Sequence, residues 1–337
     1  MQFTVNPSGR PTAVRKPFDF AAAEESLNAA LDKVIASYEK VVAAEGICLK
    51  CERAIEDCAT ALESFRTYGV SDVTLSIFNG KNKALDTALN FKSLEKGALE
   101  SMSVDKQKLV TANYIRALEA NEEDVKKTFW EHVKEWWAQF LDWIKDLFTG
   151  TAKLAKMVSE VNFDNLDAKQ DVKIRGLAEA DGTAGAAKLK EINEAMEKIA
   201  SQGSEFVVMD RGRFDASKAP NFERKEGTIS ELGWTKAKAD KAKEDFLAAV
   251  KDPKIKAAWD KIQQEYKAAA ANSNPGMVDK LKEKFHDWQA VGKVTKAFNQ
   301  LAKQVGFTLY YLGKAGMQPV ASKGPIDNEG KGEGETK

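Results

Sequence analysis

A chain of 337 residues is long enough for two or three domains and a sizeable core, and 30% charged residues with only 8 prolines points to helices. Lys+Arg and Asp+Glu both number 51, a zero net charge that argues against a dedicated polyanion binder. No apolar run approaches the roughly 18 residues of a membrane-spanning helix.

The opening stretch MQFTVNPSGRPTAVRKPF lacks the apolar segment of a secretory signal, so synthesis and first folding in a cytoplasm are expected. All three cysteines, Cys48, Cys51 and Cys58, fall within eleven residues. An odd count at local spacing suits reduced thiols better than a disulfide framework.

Residues 1–20 read as an extended arm, because Pro7, Pro11 and Pro17 oppose a helix. Leu27, Leu31, Val34, Tyr38 and Val41 then step by four and three along one helical face. Gly46 is expected to break or kink this helix. The pattern resumes with Cys48, Cys51, Ile55, Cys58, Leu62 and Phe65, and Gly69 ends it. Ser71 can cap a short helix towards Phe78, another covers about 83–90, and SLEKGALESMS (93–103) reads as an exposed connection.

Ser103 opens a helix bearing Leu109, Ala112, Ile115 and Leu118, and Asn121 caps the next. After Gly150 a further helix runs to about Val161. NFDNLDAKQDVKIRGLAEADGTAG is polar and punctuated by glycine, which places a linker over 162–183. Helices are expected near 184–200, 236–250, 254–271 and 277–312, with EFVVM (205–209) as a short strand. The tail from 317 to 337 has nothing to bury and is expected to be disordered. The chain shows no fixed-period repeat. The expected fold is therefore all-α, with helical domains over 21–161 and 184–316.

FWEHVKEWWAQFLDWIKDLF, residues 129–148, holds four of the seven tryptophans. On a helical wheel Phe129, Trp130, Val133, Trp136, Trp137, Phe140, Trp143, Ile144 and Leu147 fall within an apolar arc of roughly 160°. That arc is too wide for a two-helix seam and calls for two neighbours or a bilayer surface. Burying such side chains is worth about 1.5–3 kcal/mol each, so the face must be covered. From Glu122 to Phe148 there are seven acidic residues and four lysines, whereas a helix lying on lipid is usually rich in Lys and Arg. Core packing is favoured over a partner surface, and a membrane comes last.

Other signals are weak. Cys48-x-x-Cys51 shares a helical face with Ile55 and Leu62 and has no histidine nearby, so buried cysteine outweighs zinc. His132 and His286 each stand beside tryptophan without a second histidine at ligand spacing. Gly182-Thr-Ala-Gly185-Ala-Ala-Lys188 lacks the ending of a phosphate loop. Between Lys236 and Lys303 fifteen lysines face nine acids, but they form no stripe that would mark a nucleic-acid site. No catalytic constellation emerges, and no cofactor or metal is expected.

From about Gly46 to Val161 the order of features resembles internal virion proteins of large tailed bacteriophages. The cysteine-bearing helix ICLKCERAIEDCATALESF is followed by YGVS, a polar segment, SLEKGALESMS and the tryptophan helix. The resemblance implies a non-enzymatic protein packed inside the phage head, assembled in the host cytoplasm. Other virion proteins, further copies of itself and a prohead protease are its implied partners. Such proteases cut after a glutamate with a small or aliphatic residue two places before it. Glu63, Glu95, Glu100 and Glu119 fit that pattern, and Glu100–Ser101 is the best placed, beside Gly97 in the exposed connection. A host-directed or membrane-active effector using the tryptophan helix is the alternative.

Overall fold

The computed structural model describes residues 3–5, 11–13, 18–69, 71, 73–74, 102–206, 221–271 and 278–318. The fold is mostly helical. In the N-terminal arm two short strands pair antiparallel, β1 (Phe3–Val5) with β2 (Pro11–Ala13), placing Phe3 opposite Ala13.

Helix α1 (Phe20–Tyr68) starts where the Asp19 side chain accepts a hydrogen bond from the Ala22 amide at 3.0 Å. It ends at Gly69, whose φ of 74° is one that other residues seldom adopt. Gly46 does not break it, contrary to expectation. The buried positions Leu27, Val34, Val41, Cys48, Ile55 and Leu62 recur every seventh residue straight through the glycine. With no change of phase, the packed face runs on, and that outweighs glycine's modest helix penalty of about 1 kcal/mol. Beyond Gly69, Ser71 Oγ accepts from the Thr74 amide at 3.1 Å, a cap at the expected position.

Helix α2 (Val104–Glu160) is likewise one element where three were expected. Asn121 and Gly150 both lie inside it. Gly150 sits against α1, where an added Cβ would meet Leu31 at 3.7 Å and Val34 at 4.0 Å. At about 1.5 Å per residue, α1 and α2 are rods some 70–85 Å long. They run antiparallel: Lys153 Nζ donates to the Ser26 carbonyl at 3.0 Å, Tyr38 meets Trp143, and at the far end Arg66 pairs with Glu119.

A 3-10 turn (Leu166–Ala168) and strand β3 (Lys173–Gly176) follow, and then α3 (Glu179–Gln202). Strand β3 pairs antiparallel with β4 (Lys225–Thr228). Three more helices are described: α4 (Lys236–Val250), α5 (Pro253–Ala271) and α6 (Val278–Gly316). Helix α3 begins earlier than its glycines suggested, because those glycines are contact points. A Cβ at Gly182 would strike the Trp234 ring, and one at Gly185 would come 2.8 Å from Val305. Glu205 and Phe206 belong to a helical turn, not a strand; 207–209 lie outside the described residues.

One core joins residues from both expected domains. Phe129, Trp136 and Phe140 share it with Leu189, Met196, Phe246, Trp288 and Leu309. The expected linker contributes Phe163, Leu166 and Leu177, each fully buried, so no break in the core falls over 162–183. A second, small cluster of Cys58, Ala61, Leu62, Phe65 and Leu118 continues the α1–α2 contact beyond the end of the main core. The expected helix at 83–90, the connection with Glu95, Glu100 and Ser101, and the tail beyond Gln318 lie outside the described residues.

Candidate functional site

The aromatic face of α2 meets α6, α5 and α1. Phe129, Trp130, Val133, Trp136, Trp137, Phe140, Trp143, Ile144 and Leu147 are all buried. Trp136 stacks on Phe140 at 4.6 Å and meets the edge of Phe285 at 4.8 Å. Trp137 stacks on Tyr266 of α5 at 4.3 Å and lies 5.0 Å from Trp288 of α6. Such offset and edge-on pairs add about 0.5–1.5 kcal/mol each beyond area burial. In fact all seven tryptophans of the chain are buried.

The indole N–H groups of Trp136, Trp259 and Trp288 have no hydrogen-bond acceptor among the described residues, whereas Trp234 donates to the Leu177 carbonyl at 2.8 Å. Trp259 also lines a cleft of about 610 Å³ between α2 and α5. Leu141, Ile144 and Phe148 form one wall, Ile255 and Trp259 the other, and Phe298 of α6 lies at its base. On its rim Lys256 is ion-paired with Asp260 at 2.5 Å. This lining suits an apolar body.

The cysteine cluster is brought into helical contact surfaces. Burial pushes the Cys48 thiol up to about 12 and the Cys58 thiol up to about 11, with nearby acidic groups adding to the effect at Cys58. Cys51 is half-buried and also raised by burial. These are the environments of inert thiols. Among the described residues no group of three or more His, Cys, Asp or Glu side chains is placed to hold a metal ion. His286 bridges α6 to α1 through Glu52 at 2.9 Å, and His132 stands 3.7 Å from Glu135 one turn along its own helix. The histidines are therefore in separate contacts.

Polar side-chain pairs align α1 with α6 along their length. Glu24 pairs with Lys314, Glu52 with His286 and Glu56 with Lys282, while Gln289 donates to Glu45 at 2.8 Å. Lys296 lies 3.9 Å from the centre of the Tyr38 ring. The sequence reading missed these partners because each is more than 220 residues away. It also missed two arginines, Arg175 and Arg224. The available signal was composition: no arginine follows Arg224 in a chain that otherwise uses lysine heavily. No protein family, characterised protein or solved structure matches the chain. No described helix is long and apolar enough to cross a membrane.

Proposed function

We propose that this chain is a non-enzymatic structural protein of a phage particle, packed inside the head and assembled there from the host cytoplasm. One observation carries the reading. The described parts of the stretch resembling internal virion proteins form a single antiparallel hairpin, α1 against α2, buttressed along one side by α6. The aromatic face of α2 and the buried seven-residue series of α1 are used within the chain, while Ile35, Val42 and Leu109 stay exposed. Outward the rods present interspersed acidic and basic side chains, a surface suited to dense packing beside other virion proteins or further copies of itself. The cleft between α2 and α5 is not required for that role.

Mass spectrometry of purified particles, after protease treatment that strips exterior proteins, is the direct test. The chain should be recovered from intact DNA-filled heads, and a fraction of copies should begin at Ser101 if the prohead protease trims it. Finding only intact chains would remove the processing step. Absence from particles would end the structural reading.

The effector alternative requires the α2 aromatic face to leave the core, exposing Trp136 at 1% and Trp143 at 3% accessibility to lipid. Tryptophan emission should be blue-shifted in buffer and unmoved by anionic vesicles. A vesicle-induced shift together with co-sedimentation would favour the effector instead.

A further inference from the structure

The paired strands β3 and β4 bring two arginines to one polar cleft of about 660 Å³, lined by Arg175, Asn221, Phe222, Glu223, Arg224 and Gln304. Arg175 lies on β3, and Arg224 immediately precedes β4. The cleft is held in shape from α6: Gln304 Nε2 donates to Asn221 Oδ1 and to the Phe222 carbonyl, both at 2.8 Å. On the same side, Leu177 N donates to Thr308 Oγ1 at 3.0 Å, fixing the end of β3.

The Arg224 guanidinium rests on an aromatic shelf, 5.2 Å from the centre of Phe307 and 5.9 Å from that of Tyr311. Ring faces attract the plane of a guanidinium but leave its edge donors unused. Its Nε is buried without a hydrogen-bond partner among the described residues. Among the described residues no carboxylate forms an ion pair with Arg224 or with Arg175. Glu223, in the lining, and Glu226, opposite Arg175 in the strand register, both stay outside ion-pair distance. Burial lowers the Arg224 pKa, Tyr311 partly offsets this, and the positive charge of Arg175 lowers it further. Two like charges, one of them half-buried, are thus held together with no described counter-charge. Such an arrangement is relieved by an anion that accepts from both forks.

We propose that Arg175 and Arg224 bind the phosphoryl group of a small phosphorylated organic molecule. Two guanidiniums match a dianion better than a single carboxylate does. The cleft also lies in the size range of small-ligand sites, with Phe222 beside the arginines for an apolar body.

Titration calorimetry of the full chain with phenyl phosphate at pH 7.5 tests this. One molecule should bind per chain, more tightly than inorganic phosphate and about tenfold or more above dimethyl phosphate and benzoate. Affinity should fall as pH drops below about 6, where the phosphoryl group loses its second charge. R175Q and R224Q should each weaken binding about tenfold, and R116Q, an exposed arginine on α2, should leave it unchanged. Arg175 is exposed, so R175Q tests the site even if R224Q disturbs the fold. Equal affinity for inorganic phosphate would replace the organic ester with free phosphate and overturn the proposed ligand. Absence of binding, equal affinity for dimethyl phosphate or benzoate, or an equal loss in R116Q would overturn the site.

Discussion

Gly292 of α6 lies flat against the ring of Phe140 of α2, so that a Cβ added there would fall 2.6 Å from the ring. The contact recurs along both helices. Gly306 faces Leu154 and Gly313 faces Val161, with each pair 152 residues apart in sequence. Two parallel helices in fixed register, with a small residue opposite a large one, therefore pack at close range. Replacing Gly292 by alanine should overpack this seam, and the expected loss is about 1–3 kcal/mol despite alanine's better helix propensity. Gly46 is the matched control, since a Cβ there meets nothing within 4 Å. G46A should stabilise the protein by about 0.5–1 kcal/mol. Urea denaturation of both variants checks the pair, and equal signs would contradict this account of the seam.

At the Asn299 position of the same seven-residue series the contact is polar. Thr151 Oγ1 donates to Asn299 Oδ1 in the buried interior, and Asn299 Nδ2 donates to the Thr295 carbonyl at 2.9 Å. T151V or N299L alone should cost about 1–3 kcal/mol, because each strands a buried partner. The double variant should cost less than the two added together. Strict additivity in a double-mutant cycle would show that the pair is not coupled.

The thiols offer a test of core integrity. With Cys48 raised to about 12 and Cys58 to about 11, both are protonated at pH 8 as well as buried. Native protein should react slowly with a disulfide reagent at these two positions, and all three cysteines should react at once in denaturant. Rapid labelling of all three thiols in buffer would mean that the α1–α2 seam opens readily.

Glu24 ties the start of α1 to the end of α6. Lys314 donates to its carboxylate at 2.7 Å and the Tyr310 phenol donates to the same oxygen, which together hold its pKa below the usual 4.5. A carboxylate stabilised in this way contributes stability above its unfolded pKa and loses it as pH falls through the folded value. The stability gap between wild type and E24Q should thus be constant near neutrality and close progressively below about pH 4.5. Because the side chain is partly exposed, the gap should be small and should shrink further in high salt. A gap that persists unchanged at pH 2 would assign the effect to packing instead of charge.

Periodicity made much of this fold readable. Leu27, Val34 and Val41, and later the broad apolar arc from Phe129 to Leu147, announce helices that must be covered. Those patterns depend only on local spacing. Pro253 likewise marks the start of α5, because it supplies the fixed backbone angle of a first helical turn and forfeits no bond there. The glycines misled for the opposite reason. Gly46, Gly150, Gly182 and Gly185 weaken a helix only slightly, and contacts made by residues far along the chain decide whether it continues. Strands β3 and β4, four residues each, are too short to carry a period, so the arginine cleft beside them left no pattern to find.

Local chemistry by itself determined that the chain forms long amphipathic helices, that the tryptophan face cannot stay wet, and that the clustered cysteines lie along a packed side. Only the tertiary structure decided which surfaces meet. It set Gly292 on Phe140, joined the two expected domains into one core, and placed Arg175 beside Arg224. Those outcomes depend on shape and charge matched between residues far apart in the chain, and a helix's own sequence states which face is apolar but not what will cover it.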